Sequence, residues 1–330
     1  MMLVGLYDFD ILSDMFITGA DQKTAELRIS EIRGVLRWWF RVLGGFKSEA
    51  RSVKEQERMI FGSVHGEKCM RSQLLIRVEE KKLNANVKEA NDYFLFPLNK
   101  NGRGYFAPAQ KAFKLHVLWN GDKSQEENLK ALITIFGNLG SLGMRTRRCY
   151  GAIAFSDNNA PMSLKEALEH FNTPNAIEIK AYNEPFRDVN LCIQKAMAWL
   201  KGWRSVGPSN FRNQGPGKDF AWRDHDIGLD RNDHRPAVRP ALGMPIIQKY
   251  SSVKKSNNWN MVKPAERFSS PVILRPFKSI DGKIQLLTIF VECYKWAVGE
   301  MVEINKRSHD VSLELYNAMK QDSELINFTL

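Results

Sequence analysis

The sequence predicts an α+β fold made of two related units, each an antiparallel sheet with helices on one side. Three observations lead there. Apolar runs that alternate with period two are interleaved with runs of helical period. In the first half they follow the order strand, helix, strand, strand, helix, strand. The second half repeats that order less clearly. At 330 residues and 43% hydrophobic content the chain can fill two cores. The turn-forming run "SDNNAP" at 156–161 marks the expected boundary, giving domains 1–157 and 158–330.

In the first half "MLVGLYDFDIL" reads as the opening strand. "RISEIRGVLRWWFRVLGG" reads as a helix because Ile32, Val35, Leu36, Trp39, Phe40 and Leu43 recur at the spacing of one helical face. Ser30 is its expected N-cap and Gly44-Gly45 its stop. A short helix over "VKEQERMIFGS" and strands "QLLIRVE" and "AFKLHVLW" follow, with residues 81–110 reading as an insertion between the strands. "SQEENLKALITIFGNLG" is a helix by its face of Leu129, Leu132, Ile133 and Phe136 and by the capping-box pair Ser124 and Glu127. A glycine-rich loop and the strand "AIAF" close a ferredoxin-like (RRM-like) unit with one open sheet face. In the second half, strand "AIEIKAY", helix "VNLCIQKAMAWLKGW", strands "PVILRPF" and "IQLLTIFVE", and a helix near 310–321 make a degenerate second unit. Residues 207–240, rich in Gly, Pro, Asn, Asp and Arg, read as a long loop.

Composition narrows the partners. Forty-eight Lys and Arg against 37 Asp and Glu leave a net charge of +11, which favours polyanions, nucleic acid foremost. Cys69, Cys149, Cys192 and Cys293 are widely spaced, which argues for reduced thiols over a zinc site or a disulfide framework. "MMLVGLYDFDIL" carries Asp8 and Asp10 inside its apolar run and has no basic start, so it does not read as a signal peptide. No apolar stretch reaches membrane-spanning length, and the expected setting is cytoplasmic, with no membrane partner. Neither G-x-G-x-x-G nor G-x-x-x-x-G-K-[ST] occurs, so no nucleotide cofactor is expected.

Two stretches carry chemistry. In the first helix Arg33, Arg37 and Arg41 recur every four residues, one stripe of guanidinium groups with Glu31 the only acid between Ser30 and Gly45. Such a stripe suits phosphates; a solvated helix face is the plainer alternative. The loop "GSLGMRTRRCYGAIAF" combines Gly140 and Gly143, which let a backbone approach a ligand, with Arg145, Thr146, Arg147, Arg148 and Tyr150. From Arg148 onward it echoes the RNP octamer, but Ala152 stands where that motif needs a stacking aromatic, so gripping of the backbone is expected rather than base stacking on the sheet. Elsewhere His116 reads as a sheet histidine. Asp224, His225, Asp226, Asp233 and His234 read as a polar loop before a metal site. Asp14 and Asp21 could assist strand scission, with capping and solvation the plainer use. RNA-binding subunit, endoribonuclease and protein scaffold all remain open at this point.

Taken together, "FITGADQKTAELRISEIRGVLRWWFRVLGG" and "GSLGMRTRRCYG" resemble the first-helix and glycine-loop signatures of the RAMP superfamily of CRISPR proteins, in particular the first subunit of the Cmr module of type III-B effectors. "RPALGMPI" and "RFSSPVILRPF" resemble the C-terminal signature of the same subunit, so the likeness touches both halves. The resemblance implies a non-catalytic subunit that binds single-stranded RNA, near the guide 3′ region and the target 5′ region, beside other Cmr subunits. A CRISPR RNA-processing endoribonuclease of the same superfamily is the enzyme alternative, and the lack of a histidine near the first helix counts against it. The family's loop often has Gly where Cys149 stands, a position at which a Cβ resists positive φ.

Overall fold

The computed structural model describes every residue except 20, 22–23, 48–50, 66–67, 81–84, 89–92, 96–102, 205–214, 230–231, 245, 251–254, 262–267, 293–298, 305 and 330. The first unit contains β1 (Met2–Ile11), α1 (Ile29–Val42), α2 (Val53–Phe61), the hairpin β2 (Ser63–His65) and β3 (Lys68–Met70), and β4 (Leu74–Glu80). An inserted hairpin, β5 (Ala85–Lys88) and β6 (Arg103–Phe106), precedes β7 (Ala109–Trp119), α3 (Glu126–Leu139) and β8 (Ile153–Phe155). The sheet order is β4-β7-β1-β8, antiparallel throughout, which is the ferredoxin-like order.

After α4 (Leu164–Glu169) the second unit runs through β9 (Ile177–Tyr182), α5 (Val189–Arg204), α6 (Lys218–Leu229), β10 (Ile246–Tyr250) and β11 (Lys255–Met261). It continues with β12 (Val272–Lys278), β13 (Ile284–Val291), β14 (Met301–Ile304), β15 (Arg307–Asp310), α7 (Glu314–Lys320) and β16 (Leu325–Asn327). Its main sheet is β12-β13-β9-β16, the same order as the first. The unit is therefore complete in topology. What blurs it in the sequence is a second small sheet, β10-β11-β14-β15, inserted on both sides of β12 and β13 and closed over Trp259, Val302 and Ile304.

The cores explain the patterning. In β1 and β7, Tyr7, Phe9, Phe113, Leu115 and Val117 face the helices, while Leu6, Lys114 and His116 alternate onto the other face. In the second sheet, Ile177, Ile179, Ala181, Leu287, Ile289 and Val291 belong to the same buried cluster as α3 and α4 of the first unit. Its opposite face, through Val272, Leu274, Leu286 and Phe290, packs with α5 and α7. Buried on both sides, "IQLLTIFV" is apolar nearly throughout instead of alternating.

Three local expectations are corrected. Helix α1 starts one residue before Ser30: its N-cap is Arg28, with no side-chain cap, and Ser30 is exposed inside the first turn. Ser124 does not cap α3. A single 3-10 turn over Lys123–Gln125 precedes the helix, and Asp122 caps that turn by accepting from the Ser124 N–H. The region 207–240 is not a plain loop, because Lys218–Leu229 forms α6. Its buried side is Ala221, Asp224, Ile227 and Gly228, and the Asp224 carboxylate accepts from the Val238 and Arg239 N–H groups. Residues 207–214 and 230–231 of that stretch, and Cys293, lie outside the described residues.

Candidate RNA interface

Helix α1 has three faces. Ile32, Leu36, Trp39 and Phe40 enter the core. Arg33, Arg37 and Arg41 face α2 and the start of β4. Glu31, Gly34, Val35 and Trp38 face the glycine loop. The arginine stripe and the loop are thus on different sides of one helix, about a third of a turn apart.

The stripe is engaged within the fold. The Arg33 guanidinium donates to the Ser72 hydroxyl and to the Leu74 carbonyl at 3.0 Å. Arg37 donates to the Gly62 carbonyl at 2.8 Å, lies 5.4 Å from the Phe61 ring centre and pairs with Glu57 at 3.1 Å. Arg41 makes two bonds to Glu57, at 2.6 and 2.5 Å, which hold its guanidinium above the ordinary arginine range. Burial, then the neighbouring Arg37, pushes Arg33 down. The carboxylate that pairs with Arg37 and Arg41 comes from α2. Arg41 keeps 57% of its side chain in solvent and Arg37 35%, so both still present charge outward.

The loop after α3 clasps the two units together. Its backbone pairs with the edge strand β12: the Cys149 N–H donates to the Leu274 carbonyl at 2.8 Å, and the Leu274 N–H donates to the Arg147 carbonyl at 3.2 Å. Cys149 takes φ 69°, so the position does require the left-handed conformation, and the cross-unit bond holds a Cβ-bearing residue in it. Gly151 is required by space as well as by its φ of 69°, since a Cβ there would stand 1.8 Å from the Leu142 carbonyl oxygen. The glycine N–H groups are already used within the protein. Gly140 donates to Phe136, Gly151 to Asp14, and Gly143 to the Glu31 carboxylate at 2.5 Å. Burial raises the Glu31 pKa, and the bond from Gly143 opposes that shift.

The loop side chains divide. Arg148 and Tyr150 are buried, Arg148 on the Val272 and Arg147 carbonyls and Tyr150 edge-to-face with Phe16 at 5.6 Å. Burial pushes the Arg148 guanidinium down to about 9. These two residues therefore serve the interior, because a side chain enclosed to this degree offers no surface to a polymer. Arg145, Thr146 and Arg147 are half-buried at the crest. Arg145 donates to the Phe94 carbonyl of the insertion, while Arg147 donates to the Ser270 carbonyl and lies 4.8 Å from the Trp38 ring centre. Between α1 and this crest is a cleft of about 300 Å³ lined by Glu31, Gly34, Trp38, Ser141, Thr146 and Arg147. A Cβ on Gly34 would meet nothing within 4 Å, so the helix backbone is open there.

The sequence missed two residues of this arrangement. Trp38 lies off the apolar face of α1 and is half-exposed, and that off-face position was the available signal. Arg275, fully buried in β12, donates to the carbonyls of Asn138, Gly140 and Ile153, with the bonds to Gly140 at 3.2 and 3.0 Å. It caps the C-terminal end of α3 from the other unit, where the helix dipole favours a cation. An arginine inside "VILRPF" gives no hint of this.

The remaining candidates are structural in geometry. Asp21 accepts from the Thr24 N–H and hydroxyl, a local turn. The Asp14 carbonyl serves Gly151. His116 contacts Glu79 across the sheet at 3.3 Å. Asp224 is buried under the Val238 and Arg239 N–H groups, and Asp226 and Asp233 pair with Arg235. His225 sits 3.7 Å from Asp226, and no group of acids, histidines or cysteines among the described residues is arranged to hold a metal.

Comparison with known proteins fits this geometry. The family model of the RAMP superfamily matches residues 8–154. The CRISPR system Cmr subunit Cmr1-2 of Pyrococcus furiosus is 33% identical over 94 residues, 28% of this chain and 46% of that protein. Cmr subunit Cmr1-1 of the same organism is 32% identical over 142 residues, 39% of this chain and 40% of that protein. Each match thus spans less than half of the relative's length. The crystal structure of Cmr1 from P. furiosus in its apo form superposes over 88% of both chains with a TM-score of 0.53 at 16% identity, a likeness of fold. The segment that matches the RAMP superfamily thus runs from β1 to β8, a little under half of the chain, and holds α1, the glycine loop and the cleft between them.

Proposed function

We propose that this chain is a non-catalytic RNA-binding subunit of a Cmr-type CRISPR effector complex, contacting single-stranded guide or target RNA beside other Cmr subunits. The observation that carries the reading is that one RAMP-matching segment supplies both walls of the cleft between α1 and the loop crest. Two relatives of this chain are Cmr subunits, and the net charge of +11 suits a polyanion. Arg145, Thr146 and Arg147 meet phosphates at the crest, and Trp38 offers a ring beside Arg147. Arg37 and Arg41 add charge on the neighbouring face of α1. Arg33, Gly140, Gly143, Arg148 and Tyr150 hold the walls in position. Among the described residues no histidine lines this cleft, and the carboxylate that does, Glu31, accepts from the Gly143 N–H.

Titration of a labelled single-stranded RNA at several salt concentrations tests the reading. Binding should show little sequence preference and weaken with salt, by roughly −0.7 on a log–log plot for each phosphate neutralised. Arg147→Ala should reduce affinity, and the RNA should remain uncut. Binding indifferent to salt would overturn the proposal. Cleavage abolished by Asp21→Ala, with RNA binding retained, would favour the endoribonuclease instead.

A further inference from the structure

The inserted hairpin between β4 and β7 folds back over the far side of the glycine loop. Met15 bridges to Phe106, and Tyr105 stacks on Phe16 at 5.5 Å. Phe94 and Leu95 are buried in the cluster that includes Cys149, Tyr150, Leu200 and Trp203, so they plug the space between the loop and the end of α5. The residue before the plug, Tyr93, is left 44% exposed. The Lys201 ammonium of α5 lies 5.0 Å from its ring centre, and Arg204 is one turn further along the same face. Arg145 reaches this corner from the loop by its bond to Phe94.

Four cationic side chains thus meet around one half-exposed aromatic ring. Arg148 is immobile at the back of the corner, on the Val272 and Arg147 carbonyls. The charges that bear on its guanidinium most strongly, Arg204 and Arg145, have its own sign. Cations at the C-terminal end of α5 suit the helix dipole, but that accounts neither for a large ring held in solvent beneath one of them nor for the approach of the loop arginines. Rings interleaved with cations are the recognition chemistry of single-stranded nucleic acid: bases stack and phosphates pair.

Resting on the RNA-binding reading above, we propose that Tyr93, Lys201 and Arg204, with Arg145, form a second contact for the same single-stranded RNA. The strand crosses the crest of the glycine loop from the Trp38 cleft, and a base lies against Tyr93 while Lys201 and Arg204 hold flanking phosphates. Tyr93 of the insertion is then part of the binding surface.

Full-length protein and a labelled single-stranded RNA decide it. The double variant Lys201→Glu, Arg204→Glu should bind at least about tenfold more weakly, with the log–log salt slope reduced in magnitude by roughly 1.4 for two lost phosphates. Tyr93→Ala should cost roughly five- to tenfold and leave the slope unchanged, whereas Tyr93→Phe should bind as the parent does. Thermal melts accompany each titration, and Lys201→Gln, Arg204→Gln replaces the charge reversal if that variant unfolds. Parent-like affinity of the folded Lys201/Arg204 variant and of Tyr93→Ala, alongside weakened Arg147→Ala, would overturn the second contact and leave the first standing. Absence of salt-dependent RNA binding by the parent would overturn both.

Discussion

The arginines of α1 and the arginine of β12 are held in opposite ways. Arg37 and Arg41 share a carboxylate, Glu57, and remain partly in water. Arg275 is out of water entirely, and the groups around its guanidinium are carbonyl oxygens, two of them at the end of α3. The first arrangement is an ion pair at the surface, softened by solvent. The second places a charge in the interior against fixed dipoles, where every lost bond leaves a buried acceptor unmet. Burial pushes Arg275 down to about 9, and its guanidinium makes four N–H donations to carbonyls. One set of guanidiniums fastens neighbouring elements of a single unit. The other fastens two units.

The largest effect expected from this contrast is at Arg275. Arg275→Ala should cost roughly 3–5 kcal/mol in urea unfolding, because it strands the Asn138, Gly140 and Ile153 carbonyls. Arg275→Lys should recover less than half, since one ammonium cannot span the three sites. A loss below about 1 kcal/mol would mean that apolar contact and the backbone bonds between the glycine loop and β12 suffice to join the units. Glu57→Gln comes next, at about 1 kcal/mol, and this loss should shrink as salt is raised while that of Arg275→Ala should not.

Glu31 gives a smaller effect that depends on pH. Its pKa in the folded protein lies above the ordinary 4.5, so the native state holds a proton that the unfolded chain has released. Stability from this group therefore falls as pH rises from about 4.5 through the raised value. Glu31→Gln keeps an oxygen for the Gly143 N–H, so its melting temperature relative to the parent should climb across that window and level off above it. A flat difference would mean that the carboxylate is not shifted. The smallest change expected is Arg41→Ala, within about 0.5 kcal/mol, because most of that side chain is in solvent. Its RNA affinity, measured beside Arg147→Ala, separates a helix-face contribution from that of the loop crest.

Much of the fold was legible because periodicity reports burial directly. The core of α1, the alternation of β1 and β7 and the double burial of β13 are each written in local order. The likeness to the RAMP superfamily was legible from the first helix and the glycine loop. The site was legible only as a set of residue types. Arg33, Arg37 and Arg41 looked unaccompanied because Glu57 is on another helix. Arg148 and Tyr150 looked available because nothing near them in the chain says that β12 and the core enclose them.

By itself, then, the sequence determined the periods, the charge and the element order of the first ferredoxin-like unit, since these depend on residues a few positions apart, while the second unit was legible only without its last strand, β16. Tertiary structure alone decided which arginines face water, which cap a helix and which meet one another. Such outcomes depend on pairs like Arg275 with Gly140, 135 positions apart, and Arg147 with Ser270, 123 apart. A guanidinium reads the same in sequence whether its partner is a carbonyl, a carboxylate or solvent. Only the fold, by setting the distance and the access of water, assigns one.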